Sequence, residues 1–221
     1  MSLGIIRIFG VILFAYLTWR SLRENYEEDK IVNYSWIALL SFFVGGRIIY
    51  GLVNFGIWND SWMSWFSVWN KPGMDYVGGF LTLIIVSIIF SKLNNWKIIP
   101  FCEDGLTNDL LLLIFLMTDE LVRTKFELKV GIYLLFLILV IFFVRLVKNK
   151  YRSLVWYKSG KKGFAFLSAM FLSFLILGFL GIFFKIGIIY LILCWIISLI
   201  SLVELCILGE VFNFLTINKR K

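Results

Sequence analysis

Long apolar runs separated by short polar stretches make up almost the whole sequence. Six runs with few charged residues lie at 3–19, 31–53, 76–93, 130–144, 164–184 and 186–210. A helix needs about 20 apolar residues to cross the hydrocarbon of a bilayer, within a range of roughly 17–25. The pattern therefore predicts an all-α, polytopic membrane protein, with a single membrane domain over residues 1–221.

A seventh run, at 98–117, is interrupted by polar residues: Glu103, Asp104, Asn108 and Asp109. Charge bias decides whether it crosses the membrane, because Lys and Arg in short loops stay on the cytoplasmic side. With seven spans, 15 basic residues fall on one side and five on the other; with six spans, the split is nine against 11. The bias favours seven transmembrane helices, with the N-terminus outside and the C-terminus inside.

Composition supports the same protein class and excludes several kinds of chemistry. The chain is 61% hydrophobic and 16% charged, with a mean hydropathy of +0.90, whereas soluble domains carry about 25% charged residues. There is no histidine, which excludes Ser–His and Cys–His nucleophile pairs and most zinc sites. We therefore expect no metal and no cofactor.

The stretch 145–162 is basic and contains no acidic residue. It could bind nucleic acid, or it could fix the topology by lying against anionic lipid headgroups. The second interpretation is favoured, because the stretch lies between two apolar runs on the predicted cytoplasmic side. We expect the bilayer as a partner and no nucleic acid, and we expect a multi-pass protein of a bacterial plasma membrane.

Four tryptophans follow the second apolar run at intervals of four, three and four residues: Trp58, Trp62, Trp65 and Trp69. At 100° per residue they share one helical face. Tryptophan prefers the headgroup boundary, where its ring is buried and its N–H stays wet. The spacing predicts a short interfacial helix between spans two and three, which either anchors the protein or lines a lateral entrance for lipid or a lipid-linked peptide.

Four ionisable residues fall within or near the predicted spans: Arg7, Arg47, Glu204 and Glu210. Such residues usually face a polar cavity or a partner. Arg47 and Tyr50 are three apart and share a face, so the guanidinium could hold a lipid phosphate; the alternative is an ion pair with Asp75. Arg7 could also bind lipid, or its side chain could reach to the outer surface. The sequence indicates no partner for Glu204 or Glu210.

The third apolar run begins with a turn, a carboxylate and two adjacent glycines, Gly78 and Gly79. Glycine allows another backbone or a ligand to approach closely, and a helix start favours anions. The pattern predicts a tight helix start where a lipid headgroup or another helix comes near. Asp75, just before it, is a candidate proton acceptor.

Several stretches, taken in order, resemble the bacterial prolipoprotein diacylglyceryl transferase family. The family's I-R-W-Y-G, G-x-R-x-x-Y and G-M-S-F-H-G-G patterns are similar to Ile6-Arg7-Ile8-Phe9-Gly10, Gly45-Gly46-Arg47-Ile48-Ile49-Tyr50 and Gly73-Met74-Asp75-Tyr76-Val77-Gly78-Gly79. An aspartate follows at Asp104. The basic, glycine-containing entry to the family's sixth span resembles Gly160-Lys161-Lys162-Gly163-Phe164.

The resemblance implies an enzyme that moves diacylglyceryl from phosphatidylglycerol to the thiol of a lipobox cysteine in a prolipoprotein signal peptide. That chemistry needs a deprotonated thiol and cationic donors for the departing glycerol phosphate. It implies lipid-binding roles for Arg7, Arg47, Tyr50, Gly78 and Gly79, and it makes Arg47 and Asp75 the catalytic candidates.

The sequence departs from the family pattern at the residues that carry this chemistry. Val77 stands at the family's histidine and Phe9 at its first-span tyrosine; its two arginines fall at Thr118 and near Leu177 or Gly178. Arg123 or Lys125 could replace the first of these. Two further hypotheses remain open: an inactive relative that binds lipid or lipoprotein as a scaffold, and a small transporter. The resemblance alone leaves open whether the chain is an enzyme.

Overall fold

The computed structural model describes residues 3–53, 74–148, 150–151, 157, 161–184 and 188–210. Within these residues all regular secondary structure is helical, and there is no strand. The seven helices are α1 Leu3–Leu22, α2 Glu28–Val53, α3 Tyr76–Leu93, α4 Ile98–Arg123, α5 Leu128–Lys148, α6 Phe164–Phe183 and α7 Ile188–Leu208. The predicted all-α class is confirmed.

Six of these helices are long and apolar enough to cross a membrane, and α4 is the exception. The four polar residues of the seventh apolar run lower its mean hydropathy, as the sequence indicated. They do not interrupt the helix, which continues for 26 residues from Ile98 to Arg123. The structure therefore confirms a multi-pass membrane architecture.

Two compact units make up the chain, Met1–Asp119 and Glu120–Lys221. In the first unit, residues 23–27 join α1 and α2 into a hairpin, and α3 packs antiparallel against α2. Helix α4 lies antiparallel along α1, since Phe115 contacts Gly10 and Phe9 near one end and Asn108 contacts Ser21 toward the other. The prediction of one membrane domain over 1–221 stays a prediction.

The second unit is built around the antiparallel pair α6 and α7. Gly178 on α6 allows the Trp195 indole of α7 to approach, because a Cβ there would lie 3.1 Å from a ring carbon. Two turns earlier along α6, the carbonyl of Phe171 accepts a hydrogen bond from the Ser198 hydroxyl at 3.2 Å. Tyr157 and Phe164 pack edge to face at the other end of the pair, and Leu205 of α7 joins their cluster.

Candidate functional site

The start of α3 is fixed by Asp75, which is its N-cap. The carboxylate accepts a hydrogen bond from the Gly78 N–H at 2.6 Å, and the Asp75 carbonyl accepts from the Gly79 N–H at 2.9 Å. An N-cap carboxylate satisfies a helix donor that otherwise lacks a partner. Asp75 therefore has a structural role at the position where the sequence suggested a proton acceptor.

Asp75 also links α3 to the end of α2. Its backbone N–H donates to the Gly46 carbonyl at 3.0 Å. A Cβ on Gly46 would lie 2.8 Å from the Asp75 carbonyl oxygen, closer than a real side chain is tolerated. The glycine thus allows the chain entering α3 to pass directly over α2.

The double glycine of α3 meets the same helix. A Cβ on Gly78 would lie 2.7 Å from Ile49, and a Cβ on Gly79 would lie 2.9 Å from the Phe42 carbonyl oxygen. The sequence predicted that either a lipid headgroup or another helix comes close to these glycines. In the structure they contact another helix, α2. Their predicted contact with lipid stays a prediction.

Arg47 follows directly after Gly46 and is only 7% exposed. Its guanidinium carbon lies 5.9 Å from the centre of the Tyr50 ring, as expected for residues three apart on one helix face. A cation within about 6 Å of an aromatic face is attracted by the ring. The side chain that is best suited to hold a phosphate is therefore buried beside the α2–α3 junction.

Arg7 forms an ion pair with Asp119 of α4, a contact between residues 112 positions apart that no local sequence pattern indicated. The Asp119 side chain is 2% exposed and that of Arg7 is 35% exposed. The second carboxylate oxygen of Asp119, Oδ1, is buried and has no hydrogen-bond partner among the described residues. One sequence signal could have indicated this ion pair. It is an arginine one turn after the start of one apolar helix together with a carboxylate one turn before the end of another.

These groups lie at one end of the first unit. Arg7 is near the start of α1, Arg47 near the end of α2, Asp75 at the start of α3 and Asp119 near the end of α4. Because successive helices of the unit run in opposite directions, these four positions share an end. That end therefore holds two cationic side chains and two carboxylates.

The opposite end of the first unit has its own polar contacts. The Asn108 amide donates to the Ser21 hydroxyl at 2.7 Å, and the Asn25 amide reaches Asp104 at 3.5 Å. In the turn between α1 and α2, burial raises the pKa of Tyr26 to about 12, with a smaller effect from Asp104. Its phenol is therefore neutral at physiological pH, and its ring packs against Trp96.

The positions at which the sequence departs from the family pattern have ordinary structural contacts. The Phe9 ring packs edge to face on Phe115, and the Thr118 hydroxyl donates to the Ile114 carbonyl of its own helix at 2.7 Å. Val77 is half-buried in the first turn of α3. None of these side chains can accept a proton from a thiol or carry a positive charge.

Other predicted residues lie elsewhere. Glu210, just after α7, faces Lys161 at 3.7 Å, and Glu204 is exposed on α7. Among the described residues, no three His, Cys, Asp or Glu side chains are grouped as metal ligands. The interfacial helix predicted from Trp58, Trp62, Trp65 and Trp69 lies outside the described residues.

Comparison with known proteins gives a family match for the first half of the chain. The sequence model of the prolipoprotein diacylglyceryl transferase family matches residues 2–105. Proteins named phosphatidylglycerol–prolipoprotein diacylglyceryl transferase from Salmonella paratyphi B (strain ATCC BAA-1250 / SPB7), Salmonella newport (strain SL254) and Salmonella heidelberg (strain SL476) are each 31% identical to this chain over 86 residues. Each match covers 36% of this chain and 29% of the relative, so the aligned part is less than a third of the relatives' length.

Proposed function

We propose that the chain transfers diacylglyceryl from phosphatidylglycerol to the lipobox cysteine of a prolipoprotein, because residues 2–105 match the sequence model of the prolipoprotein diacylglyceryl transferase family. The proposed location is a bacterial plasma membrane. The observation that carries the proposal is the buried Arg47 beside the α2–α3 junction, at the same end of the first unit as Arg7. The Arg47 guanidinium there suits an anionic headgroup, whereas the charge of Arg7 is balanced by Asp119.

The proposed topology has seven spans, with the N-terminus outside and the C-terminus inside. Helix α4 is the least apolar of the seven, but its contacts with α1 support a full crossing. They extend from the Arg7–Asp119 ion pair at one end to the Asn25–Asp104 contact at the other. A helix that accompanies a spanning helix over its whole length crosses the same bilayer. The end with Arg7 and Arg47 then faces the outer leaflet.

The transfer forms one bond and breaks another. The cysteine thiol gives up its proton, the sulfur bonds to the terminal glycerol carbon of the diacylglyceryl group, and the bond from that carbon to the phosphate ester oxygen breaks. Glycerol phosphate leaves with the bonding electrons. Arg47 would stabilise the charge on this leaving group, and donors that act where charge develops are the effective ones.

Two carboxylates at this end are candidates for the proton acceptor. The Asp75 carboxylate accepts a hydrogen bond from the Gly78 N–H as a helix cap, so it would have to cap α3 and accept the thiol proton as well. Asp119 has one oxygen bonded to Arg7, while its Oδ1 has no donor among the described side chains and backbone groups. A carboxylate can accept from several donors at once, so both remain candidates.

The test is an assay with the full chain in vesicles that contain phosphatidylglycerol, given a synthetic lipobox peptide. We expect thioether-linked diacylglyceryl peptide, detected by mass spectrometry. Arg47→Ala should lower the rate roughly 10²–10³-fold, the usual effect of removing one such donor, and Arg47→Lys should retain part of it. Lys92→Ala, an exposed change near the end of α3, is the matched control.

Product formed equally fast by the wild type and Arg47→Ala would contradict the role of Arg47. A complete lack of product with the wild type, in vesicles where a relative is active, would reject the transferase. Variants are compared only after size-exclusion chromatography shows the wild-type elution volume.

One observation favours a second candidate, a relative that binds lipid without transferring it. Val77 and Thr118 stand where the family has a histidine and an arginine, and neither side chain can replace their chemistry. This candidate predicts that phosphatidylglycerol co-purifies with the wild type and less with Arg47→Ala, while no peptide product forms. The same two preparations therefore distinguish the two candidates.

A further inference from the structure

Helix α7 presents a stripe of exposed apolar side chains on the side that faces away from α6. Its members lie within about 100° of one another around the helix axis and are 48–64% exposed: Ile192, Ile196, Leu199, Ile200, Val203 and Ile207. Buried residues of α7 such as Cys194, Ser198 and Leu205 lie on the other side of the helix. At 1.5 Å per residue the stripe is about 22 Å long.

An acidic residue borders this stripe. Glu204 is exposed beside Ile200 and Ile207, and it makes no hydrogen bond or ion pair with any residue that the structure describes. Ile207, one turn closer to the end of the helix, is 64% exposed, so the carboxylate lies within the apolar part of the face. A charge on a lipid-facing helix surface is costly and usually marks a partner.

Glu210, the other acidic residue at this end of α7, differs from Glu204 because it has a cationic neighbour. Glu210 lies just beyond the helix and faces the Lys161 ammonium at 3.7 Å. The protein thus supplies a cation for the acid outside the apolar stripe, whereas the acid beside the stripe has none in the described part of the chain. A partner that covers the stripe should therefore bring a positive charge to its Glu204 end.

A signal peptide has this combination of features. It has a basic n-region followed by 7–15 apolar residues, which as a helix extend over about 10–22 Å. Basic residues stay on the cytoplasmic side, the side on which the proposed topology puts the end of α7. We propose that the stripe binds the apolar helix of a prolipoprotein signal peptide, antiparallel to α7, with its n-region against Glu204; this rests on the proposed function.

The test is site-specific photocrosslinking of the full chain in lipid nanodiscs, with a synthetic prolipoprotein signal peptide whose n-region carries lysines. The photoreactive residue replaces Ile200 or Ile207, and its matched control replaces Leu139, a 56% exposed residue of α5. We expect peptide adducts at both α7 positions and few at Leu139. Glu204→Lys should lower the adduct yield at least roughly fivefold, because like charges then face each other.

Charge reversal in the peptide tests whether the adduct yield depends on the charge at residue 204. A peptide whose n-region lysines are changed to glutamates should give a low adduct yield when residue 204 is the wild-type glutamate. The same peptide should give a high adduct yield with Glu204→Lys. Glu204→Gln, which keeps the size of the side chain, should give an intermediate yield with the lysine peptide. An unchanged yield across these combinations overturns the inference, as do equal adducts at Leu139, adducts to lipid alone, or adducts between two copies of the chain.

The readout also separates this inference from the proposed transfer, because crosslinking requires no chemistry on the thiol. Charge-dependent adducts without any thioether product reject the transferase and retain the docking surface. Thioether product without charge-dependent adducts retains the transferase and rejects the docking surface. Each Glu204 variant must elute as the wild type does on size-exclusion chromatography before its yield is compared.

Discussion

The first unit contains two helix interfaces that are held together in different ways. Where α3 meets α2, four glycines allow the helices to approach closely: Gly45, Gly46, Gly78 and Gly79. A Cβ added to Gly46 or Gly79 would lie within 3 Å of a backbone carbonyl oxygen. Where α4 meets α1, the helices are joined by polar side chains at both ends, through Arg7–Asp119 and Ser21–Asn108. At the start of α3 the two helices approach closely because side chains are missing, whereas at the two ends of the α1–α4 contact particular side chains join the helices.

The contrast follows from the solvent. Lipid tails are as apolar as the helices, so helices in a bilayer associate through close packing and through hydrogen bonds and charges between them. The start of α3 uses the first means where it crosses α2, and the two ends of the α1–α4 contact use the second. Further along the α2–α3 pair, Tyr34 and Ser87 also share a hydrogen bond at 2.7 Å. The two interfaces should therefore respond differently to the same kind of substitution.

The largest effect is expected when a methyl group is added at the glycine interface. Gly46→Ala and Gly79→Ala each put a Cβ within 3 Å of a carbonyl oxygen, which cannot rotate away as a side chain can. Overpacking of this kind costs about 1–3 kcal/mol. Thermal unfolding in detergent should show a fall in Tm of roughly 2–4 °C for each kcal/mol lost.

Gly105→Ala on α4 is the matched control, since the nearest atom to its Cβ position is the Asp109 carboxylate at 3.9 Å. Alanine is the better helix former by up to about 1 kcal/mol, so this variant should be neutral or more stable. If all three alanine variants melted at the same temperature, close backbone approach would not be what holds α2 to α3.

The next largest effect is expected at the ion pair, and it should be asymmetric. Arg7→Ala leaves the Asp119 carboxylate buried without its cation, which we expect to cost about 1–2 kcal/mol, less than breaking a fully buried pair because Arg7 is partly exposed. Asp119→Ala leaves an arginine that can reach the surface, so its cost should be smaller.

The double variant Arg7→Leu/Asp119→Leu sharpens this test. It removes both charges together, so it should be more stable than Arg7→Ala. Urea unfolding of the three variants under one set of detergent conditions measures the order. An Asp119→Ala variant less stable than Arg7→Ala would mean that the pair is not buried on the Asp119 side.

The smallest effect is expected at the other end of the same interface. Asn108→Ala removes the hydrogen bond to the Ser21 hydroxyl, and such bonds between membrane helices average about 0.6 kcal/mol and reach about 1.7. Asn33→Ala, at an exposed position on α2, is the control and should not change the unfolding free energy. If Asn108→Ala lowered the unfolding free energy as much as Gly79→Ala does, the two interfaces would not differ as proposed.

Hydropathy was enough to predict the helices, because a long apolar run has few alternatives to a helix in lipid. α3 begins and ends at the predicted residues, Tyr76 and Leu93, whereas α2 begins three residues early at Glu28 and α4 continues six residues further to Arg123. Polar residues at helix ends extend hydrogen bonding into the headgroup region, where hydropathy no longer marks the helix.

The site was predictable only in its local parts. The Arg47–Tyr50 contact follows from the helical repeat, and glycines at Gly78 and Gly79 indicated a close approach. The Arg7–Asp119 pair did not follow, because it joins the first helix to the fourth and depends on which helices are neighbours. Asp75 was foreseen as a chemical group, but its observed bond is a helix cap, a role that Asp, Asn, Ser and Thr commonly take just before a helix start.

The ion pair between α1 and α4 also has a consequence for biogenesis. Arg7 enters the membrane with the first hairpin, but its partner is 112 residues further along the chain. At the usual 5–20 residues per second of translation, roughly 6–22 s elapse before Asp119 is made. During that interval the translocon or a neighbouring headgroup has to accommodate the arginine, so the last step in assembling the N-terminal unit is the arrival of its fourth helix.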